Sequence, residues 1–271
     1  MDLLQAAALG ILQGLTEFLP ISSSGHLVLA HTLLGWQTKN DLTFDVALHL
    51  GTLAAVITYF AREIFQLVVA TVRSLLRRSF ADPLARLGLC LIVGTLPGVV
   101  AGVLLESAAE RAFRDPRLVA LMLLLFSGVM WLAERLASQK RSLVSLRLMD
   151  ALVVGAAQAV ALVPGVSRSG ITISAGLVRG IARADAARFS FLLAAPITAG
   201  AAVLQLTKLA LSGIASEMVL PFLVGIVSSA IVGFLCIAFL LRFLSRFSLR
   251  VFIAYRVLLA LIVLVIAWPR G

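Results

Sequence analysis

Charge is what this chain of 271 residues has least of: Asp, Glu, Lys and Arg together make up 13% of it. Soluble domains carry about 25% charged residues, so a water-soluble fold is excluded. Cysteine is scarcer still. Cys90 and Cys236 each sit inside an apolar run with no CxxC spacing, which argues against a disulfide framework or a metal–thiolate site and leaves both as buried filler. A removable signal peptide is not expected either. Met1-Asp2-Leu3-Leu4 offers no basic stretch, and no small-residue cleavage site closes the apolar run that follows. Acidic residues number 13 against 23 basic ones, a net charge of +10. In so apolar a chain that excess belongs at cytoplasmic loop ends facing anionic lipid, not on nucleic acid.

What is present is apolar length. Hydrophobic residues reach 61% and the mean hydropathy is +1.07. Crossing a hydrocarbon core of about 30 Å takes roughly 20 helical residues. Six runs approach that length: Phe44–Tyr59, Leu87–Leu105, Leu118–Leu136, Phe189–Leu211, Met218–Leu241 and Val251–Trp268. Two further regions are broken. Leu3–Leu19 runs into Pro20 and Ser22-Ser23-Ser24-Gly25-His26, then into a brief apolar stretch to Gly35. Ala151–Val163 runs into Pro164-Gly165-Val166-Ser167-Arg168-Ser169-Gly170, then into an equally brief one to Gly180. The second halves reach only about 15 Å at 1.5 Å per residue, half a bilayer. Both regions therefore read as re-entrant hairpins with polar tips near the midplane, where irregular backbone must be surrounded by protein or a wet cavity.

The two broken regions copy each other. A shift of 145 pairs Gly10 with Gly155, Gln13 with Gln158, Ser22 with Ser167, Ser24 with Ser169, Gly25 with Gly170, Gly35 with Gly180 and Phe44 with Phe189. The expected fold is an all-α polytopic membrane protein of two repeats, about 1–138 and 150–271, each a hairpin followed by three spans. Three spans change sides and a hairpin does not, so the second repeat is expected inverted, with polar sites at the repeat interface. With the loops after the first, third and fifth spans on the cytoplasmic side, fifteen Lys and Arg fall there, Arg62, Arg73, Arg141 and Arg179 among them. Six fall opposite (Lys39, Arg111, Arg114, Arg117, Lys208, Arg270), and Arg168 and Arg256 inside the membrane complete the 23. Both termini are then expected outside. Trp36 and Trp268 read as interfacial anchors.

Ionisable residues inside a membrane cost several kcal/mol, about 3 to 15 depending on method, and require a partner or a function. Glu17 lies one turn after Gln13, so the two share a helix face and offer oxygen ligands to a hard cation, Mg²⁺ or Ca²⁺. A structural carboxylate beside a packing amide is the plainer alternative. The hydroxyls and N–H groups of Ser22, Ser23, Ser24 and Gly25 at a helix start form an anion site, with His26 placed to exchange a proton with Ser23 or with substrate. A Ser/Gly turn capped by His26 would use the same residues. In the second tip, Ser167, Ser169 and Gly170 flank Arg168, a fork for phosphate oxygens that could instead pair with Glu17. Together the tips read as a phosphate site. Arg256 after Tyr255 could touch a second phosphate or snorkel to the cytoplasmic face. Asp45 and His49 share a helix face, read first as a packed or solvated pair and alternatively as part of the site's rim, and His31, with no partner visible in sequence, reads as structural.

Gln13-Gly-Leu-Thr-Glu17-Phe-Leu-Pro-Ile-Ser-Ser-Ser-Gly-His26 and Pro164-Gly-Val-Ser-Arg-Ser-Gly-Ile-Thr172 resemble the two signature motifs of the undecaprenyl-diphosphate phosphatases of the bacitracin-resistance type. The resemblance extends to Phe44-Asp45, Leu50-Gly51, Phe189-Ser-Phe-Leu-Leu193 and Tyr255-Arg256. It implies hydrolysis of the C55 lipid diphosphate to the monophosphate, recycling the carrier for peptidoglycan synthesis, in a bacterial inner membrane and with a divalent cation. Carried over by position, Gln13 and Glu17 match the Glu/Gln-x-x-x-Glu motif, Ser23 and His26 the Ser and His of the first loop, and Arg168 the Arg of the second. Gln13 removes one anionic ligand. The expected site therefore has Glu17, Ser23, His26 and Arg168 as catalytic groups. Ser22, Ser24, Gly25, Ser167, Ser169, Gly170 and Thr172 are expected on the substrate, with the cation on Glu17 and Gln13. The nucleophile is either Ser23 or a water activated by Glu17 or His26. The expected partners are the polyprenyl diphosphate and membrane lipids, and a homodimer is admitted. A second class stays open, an inverted-repeat transporter or flippase of a lipid phosphate with Arg168 as its clamp.

Overall fold

The computed structural model describes residues 2–36, 41–112, 115–212 and 216–267. Lys39, Arg114, Trp268 and Arg270, and the side chains of Arg111 and Lys208, lie outside the described residues. Among the described residues the chain is helical, with α1 (Leu3–Phe18), α2 (Ser23–Leu33), α3 (Asp41–Tyr59), α4 (Ala61–Leu76), α5 (Pro83–Ala112), α6 (Pro116–Leu136), α7 (Leu148–Val160), α8 (Arg168–Val178), α9 (Arg183–Ser212), α10 (Ser216–Leu244) and α11 (Arg250–Ala267). Five of these are long and apolar enough to cross a membrane, and the pair α3–α4, bent by 75°, makes a sixth when counted as one broken span. This is a polytopic membrane protein. Its lipid-facing surface is built from exposed Val, Leu, Ile and Phe side chains such as Val103, Leu235 and Val265.

α4 is absent from the expectations above, which leave 60–86 as a loop. Arg62, Glu63, Arg73 and Arg77 interrupt its hydropathy, yet on a helix they fall to one side. Leu67, Ala70, Thr71 and Ser74 face the protein, while Phe65, Val68, Val72 and Leu76 face outward. α9 likewise begins six residues before the expected span, because the charges of its first turns are paired. Arg183 bonds Glu134, Asp185 accepts from the Leu143 N–H at 3.0 Å, and Arg188 meets Glu63 at 2.8 Å. The same layer contains Asp150, fully buried between Arg141 and Arg179, each at 2.6 Å. Burial alone would raise the Asp150 pKa. The hydrogen bonds from Arg141, the Arg147 N–H and Arg179 outweigh that and hold it at about 2. Arg141 also pairs its backbone with Gly180 and Ala182, so this layer ties the segment between α6 and α7 to the end of α8.

Positions 145 apart share local geometry. Ser22 and Ser167 both cap a short helix with positive φ (78° and 73°), and each hydroxyl accepts from the N–H three residues on. Gly35 and Gly180 both leave their helices with positive φ. Gly10 of α1 packs on the backbone of Gly225 in α10, and Gly155 of α7 packs on Gly94 in α5. A Cβ at Gly10 or Gly155 would strike the opposing carbonyl. Glycine permits this close approach, which places both hairpins deep among the spans.

Candidate active site

The tips of the two hairpins meet. Ser22 Oγ accepts from the Gly165 N–H at 3.1 Å, and Ser169 Oγ donates to the Leu19 carbonyl at 3.1 Å. Each loop thus satisfies backbone groups of the other, as buried irregular backbone requires. α1 delivers Glu17 to this junction and α8 begins there with Arg168.

Glu17 is the hub. Its Oε1 accepts from Arg168 Nη2 at 2.6 Å, and its Oε2 from Ser23 Oγ at 2.5 Å and Gln13 Nε2 at 3.1 Å. Both members of the ion pair are shielded, with side chains 6% (Glu17) and 19% (Arg168) exposed, so the attraction acts in a low dielectric. Arg168 Nη1 reaches Thr198 Oγ1 of α9 at 3.5 Å. His49 of α3 brings Nε2 to 3.8 Å from Glu17 Oε2. Of the Asp45 and His49 pair only His49 reaches this rim, because the Asp45 carboxylate faces His31. Nothing in sequence pointed to Thr198.

His26 does not bond Ser23, one of the partners that the sequence allowed it. Its Nδ1 donates to the Ser22 carbonyl at 2.7 Å and its Nε2 bonds the Tyr255 hydroxyl at 2.8 Å, the two rings stacked 5.7 Å apart. The hydrogen-bond partner of Ser23 is Glu17, not His26. The hydroxyls of Ser22 and Ser167 are committed to capping, and Gly25 and Gly170 supply the N–H groups they cap. Thr172 lies behind Arg168, donating to the Arg168 carbonyl at 2.7 Å and sharing a bond with Ser190 at 2.6 Å. Ser23 and Ser24 keep partial exposure.

Arg256 does not snorkel. It is fully buried, donating to Ser127 Oγ (3.1 Å) and to the carbonyls of Leu123 (3.3 Å) and Gly165 (2.8 Å). Its partners come from α6 and from the loop before α8, so the head group ends inside the protein and not at an interface. His31, expected alone, bonds the Trp36 carbonyl at 2.7 Å and faces Asp45 at 3.0 Å.

Gln13 Oε1 is buried and has no protein partner. An orphaned amide oxygen beside a carboxylate fits a hard divalent cation that keeps substrate and water oxygens as its other ligands. Among the described residues no three His, Cys, Asp or Glu gather into a closed metal site. A narrow gap lined by Phe18, Thr52, Leu53, Val56, Arg168 and Thr198, too small for a water molecule, lies beside Arg168. On their other side Leu53 and Ala195 line an apolar groove of about 480 Å³ walled by α3, α4, α5 and α9. An arginine at one end and hydrocarbon walls at the other suit a ligand with an anionic head and an apolar tail.

Residues 6–262 match the family model described as bacitracin resistance protein BacA. The chain is 47% identical over 273 residues to the undecaprenyl-diphosphatase of Moorella thermoacetica, covering 100% of both proteins. It is 49% identical over 274 residues to that of Thermomicrobium roseum, covering 98% of each, and 48% identical to that of Rubrobacter xylanophilus, covering 97% of each. The motifs at both hairpin tips, the helical membrane fold and the full-length match agree: the chain belongs to the BacA family of bacitracin resistance proteins.

Proposed function

We propose that the protein is an undecaprenyl-diphosphatase of the bacterial inner membrane, with its termini and the mouth of its site on the periplasmic side and with Ser23 as its nucleophile. The observation that carries the reading is the Ser23–Glu17–Arg168 chain. A hydroxyl donates at 2.5 Å to one carboxylate oxygen while a guanidinium holds the other at 2.6 Å. The relatives have a hydrolase name, and the transporter expectation is not carried forward.

In the first half-reaction the Ser23 oxygen attacks the terminal phosphorus and its proton passes to Glu17 Oε2. The bond from that phosphorus to the bridging oxygen breaks, and the lipid monophosphate leaves with the electron pair. A phosphate of this kind has a second pKa near 6, so it departs as an anion without a proton donor. The proton-acceptor role therefore moves from His26, whose two nitrogens are engaged, to Glu17. In the second half water attacks the phosphoserine, Glu17 returns its proton to the Ser23 oxygen, and inorganic phosphate is released with the water's proton going to solvent. Arg168, freed from Glu17 as that group is protonated, turns its fork to the phosphoryl oxygens and offsets their charge. Glu17 and Gln13 would hold a divalent cation such as Mg²⁺, which supplies further neutralisation of the diphosphate. The apolar groove beyond Leu53 takes the isoprenoid tail.

Phosphate release from undecaprenyl diphosphate by the purified protein tests this. Metal-dependent turnover is expected, falling by about 10²–10⁴ in Glu17→Gln, as for loss of a general base, and by about 10²–10³ in Arg168→Lys. Ser23→Ala is expected inactive, and acid quenching should trap radiolabelled phosphate on Ser23. A folded Ser23→Ala protein that keeps most of its activity would transfer the nucleophile role to water.

A further inference from the structure

His49 occupies a position that its hydrogen bonds make informative. Its Nδ1 lies 2.9 Å from the Asp45 carbonyl oxygen. A carbonyl only accepts, so Nδ1 carries the hydrogen and, in the neutral ring, Nε2 presents a lone pair. That lone pair faces Glu17 Oε2 at 3.8 Å, beyond hydrogen-bond range. The same carboxylate oxygen already accepts from Ser23 and Gln13. Two electron-rich atoms face each other with nothing of the protein between them, and the Gln13 amide oxygen nearby has no partner.

The geometry points to His49 as a ligand of the divalent cation, forming with Glu17 and Gln13 a mixed nitrogen–oxygen site that takes a first-row transition ion in preference to Ca²⁺. Two ligands each about 2.0–2.2 Å from one ion stand no more than about 4.4 Å apart, and the observed 3.8 Å lies within that reach. The imidazole is 33% exposed and the carboxylate 6%, so the nitrogen stands at the mouth and the anionic ligand at the base. A second carboxylate at position 13 would favour hard cations. Gln13 in its place leaves one anionic ligand, and an imidazole shifts the preference toward Mn²⁺, Co²⁺ or Zn²⁺. His26 is not an alternative source of nitrogen, because both its ring nitrogens are engaged by Ser22 and Tyr255. The purpose of the ion rests on the phosphatase reading above, but its binding does not.

Mn²⁺ is the probe. The full-length protein in detergent, without substrate, is titrated with Mn²⁺ and followed by electron paramagnetic resonance, beside His49→Ala, Glu17→Ala and the folded control His31→Gln. Wild type and the control are expected to bind one ion and to show the ¹⁴N modulation of a directly coordinated imidazole. His49→Ala should lose that modulation and bind at least tenfold more weakly, and Glu17→Ala should not bind. Ca²⁺ should displace Mn²⁺ from wild type poorly, and from His49→Ala about as well as Mn²⁺ competes with itself. No nitrogen modulation in the wild type, or an unchanged Mn²⁺ affinity in His49→Ala, would overturn the proposal and make the contact an imidazolium–carboxylate pair. Phosphate release measured in parallel separates this from failure of the phosphatase reading, which would show as absent turnover in every cation.

Discussion

Arg256 is buried without a carboxylate partner among the described residues, and its Nη1 has no acceptor. An uncompensated guanidinium is among the most expensive groups to hold in an interior. Its bonds to Gly165, Leu123 and Ser127 fasten the second hairpin tip to α6, one residue along the chain from the tyrosine that holds His26. Its charge also makes the junction attractive to a diphosphate. Arg256→Met leaves the Gly165 carbonyl unmet, at about 1–3 kcal/mol, but removes a buried charge that costs more than that. The thermal midpoint in detergent should therefore hold or rise while kcat/KM falls at least tenfold. Arg256→Lys should not rescue, since an ammonium cannot reach two carbonyls and a hydroxyl with a planar fork. A destabilised Arg256→Met protein of normal specific activity would assign the residue to folding alone. Sequence could name Arg256 but not its environment, because the choice between snorkelling and burial is made by α6, which lies more than a hundred residues earlier. The same holds for His26. Its three-residue spacing from Ser23 allowed contact, but the Ser22 carbonyl and Tyr255, remote in the chain, claimed both its nitrogens. The Glu17–Arg168 contact, by contrast, was legible as one of the readings open in the sequence, since charge so deep in an apolar chain needs a partner or a function.

Among the elements, the two hairpins could be read from the chain because serine, glycine and proline interrupt apolar runs too short to span. α4 could not. Its charges break hydropathy at the helical period, and only packing of Thr71 on Gly88 of α5 shows which face is inward. That element matters because α4 completes the apolar groove, contributing Ile64, Leu67, Val68, Thr71, Val72 and Leu75. A groove separated from Arg168 only by Leu53 and Ala195 should bind the tail of the substrate and not its head. Ala199→Trp, which fills the groove from α9, is expected to raise KM for undecaprenyl diphosphate about tenfold or more. Farnesyl diphosphate, whose shorter chain occupies less of the groove, should be affected less. Ala230→Trp is the control, because it fills the separate groove between α3 and α10 that shares no residue with the Arg168 cleft. Equal effects of both substitutions on the long substrate would mean that the tail lies in bulk lipid.

For the whole molecule, the 145-residue repeat poses a question of direction. The repeated caps, left-handed glycines and glycine contacts describe two similar halves, and similar halves can stand parallel or inverted in a bilayer. If each half has three spans and a hairpin that returns to its own side, the halves are expected to be inverted, and the basic residues would then concentrate on one side. Inversion makes equivalent loops face opposite compartments, which single cysteines can read. Ser79 lies between the first two spans of one half and is exposed, and Glu217 lies just past the equivalent loop of the other and is exposed. In a background with Cys90 and Cys236 replaced, Ser79→Cys should react with an impermeant maleimide only after the membrane is opened, and Glu217→Cys in intact spheroplasts. The next loops should reverse the pattern, with Asp115→Cys labelled from outside and Ser245→Cys from inside. Labelling of Ser79→Cys and Glu217→Cys from the same side would make the halves parallel. The two hairpins would then enter from one face, and their tips could meet only if both reached the midplane side by side. The cross-bonds Ser22–Gly165 and Ser169–Leu19 instead follow naturally when two half-depth hairpins approach from opposite faces, each satisfying backbone that the other leaves open. The active-site chain from Ser23 through Glu17 to Arg168 crosses that junction, so on this reading neither half holds a complete site, and inversion is what assembles one.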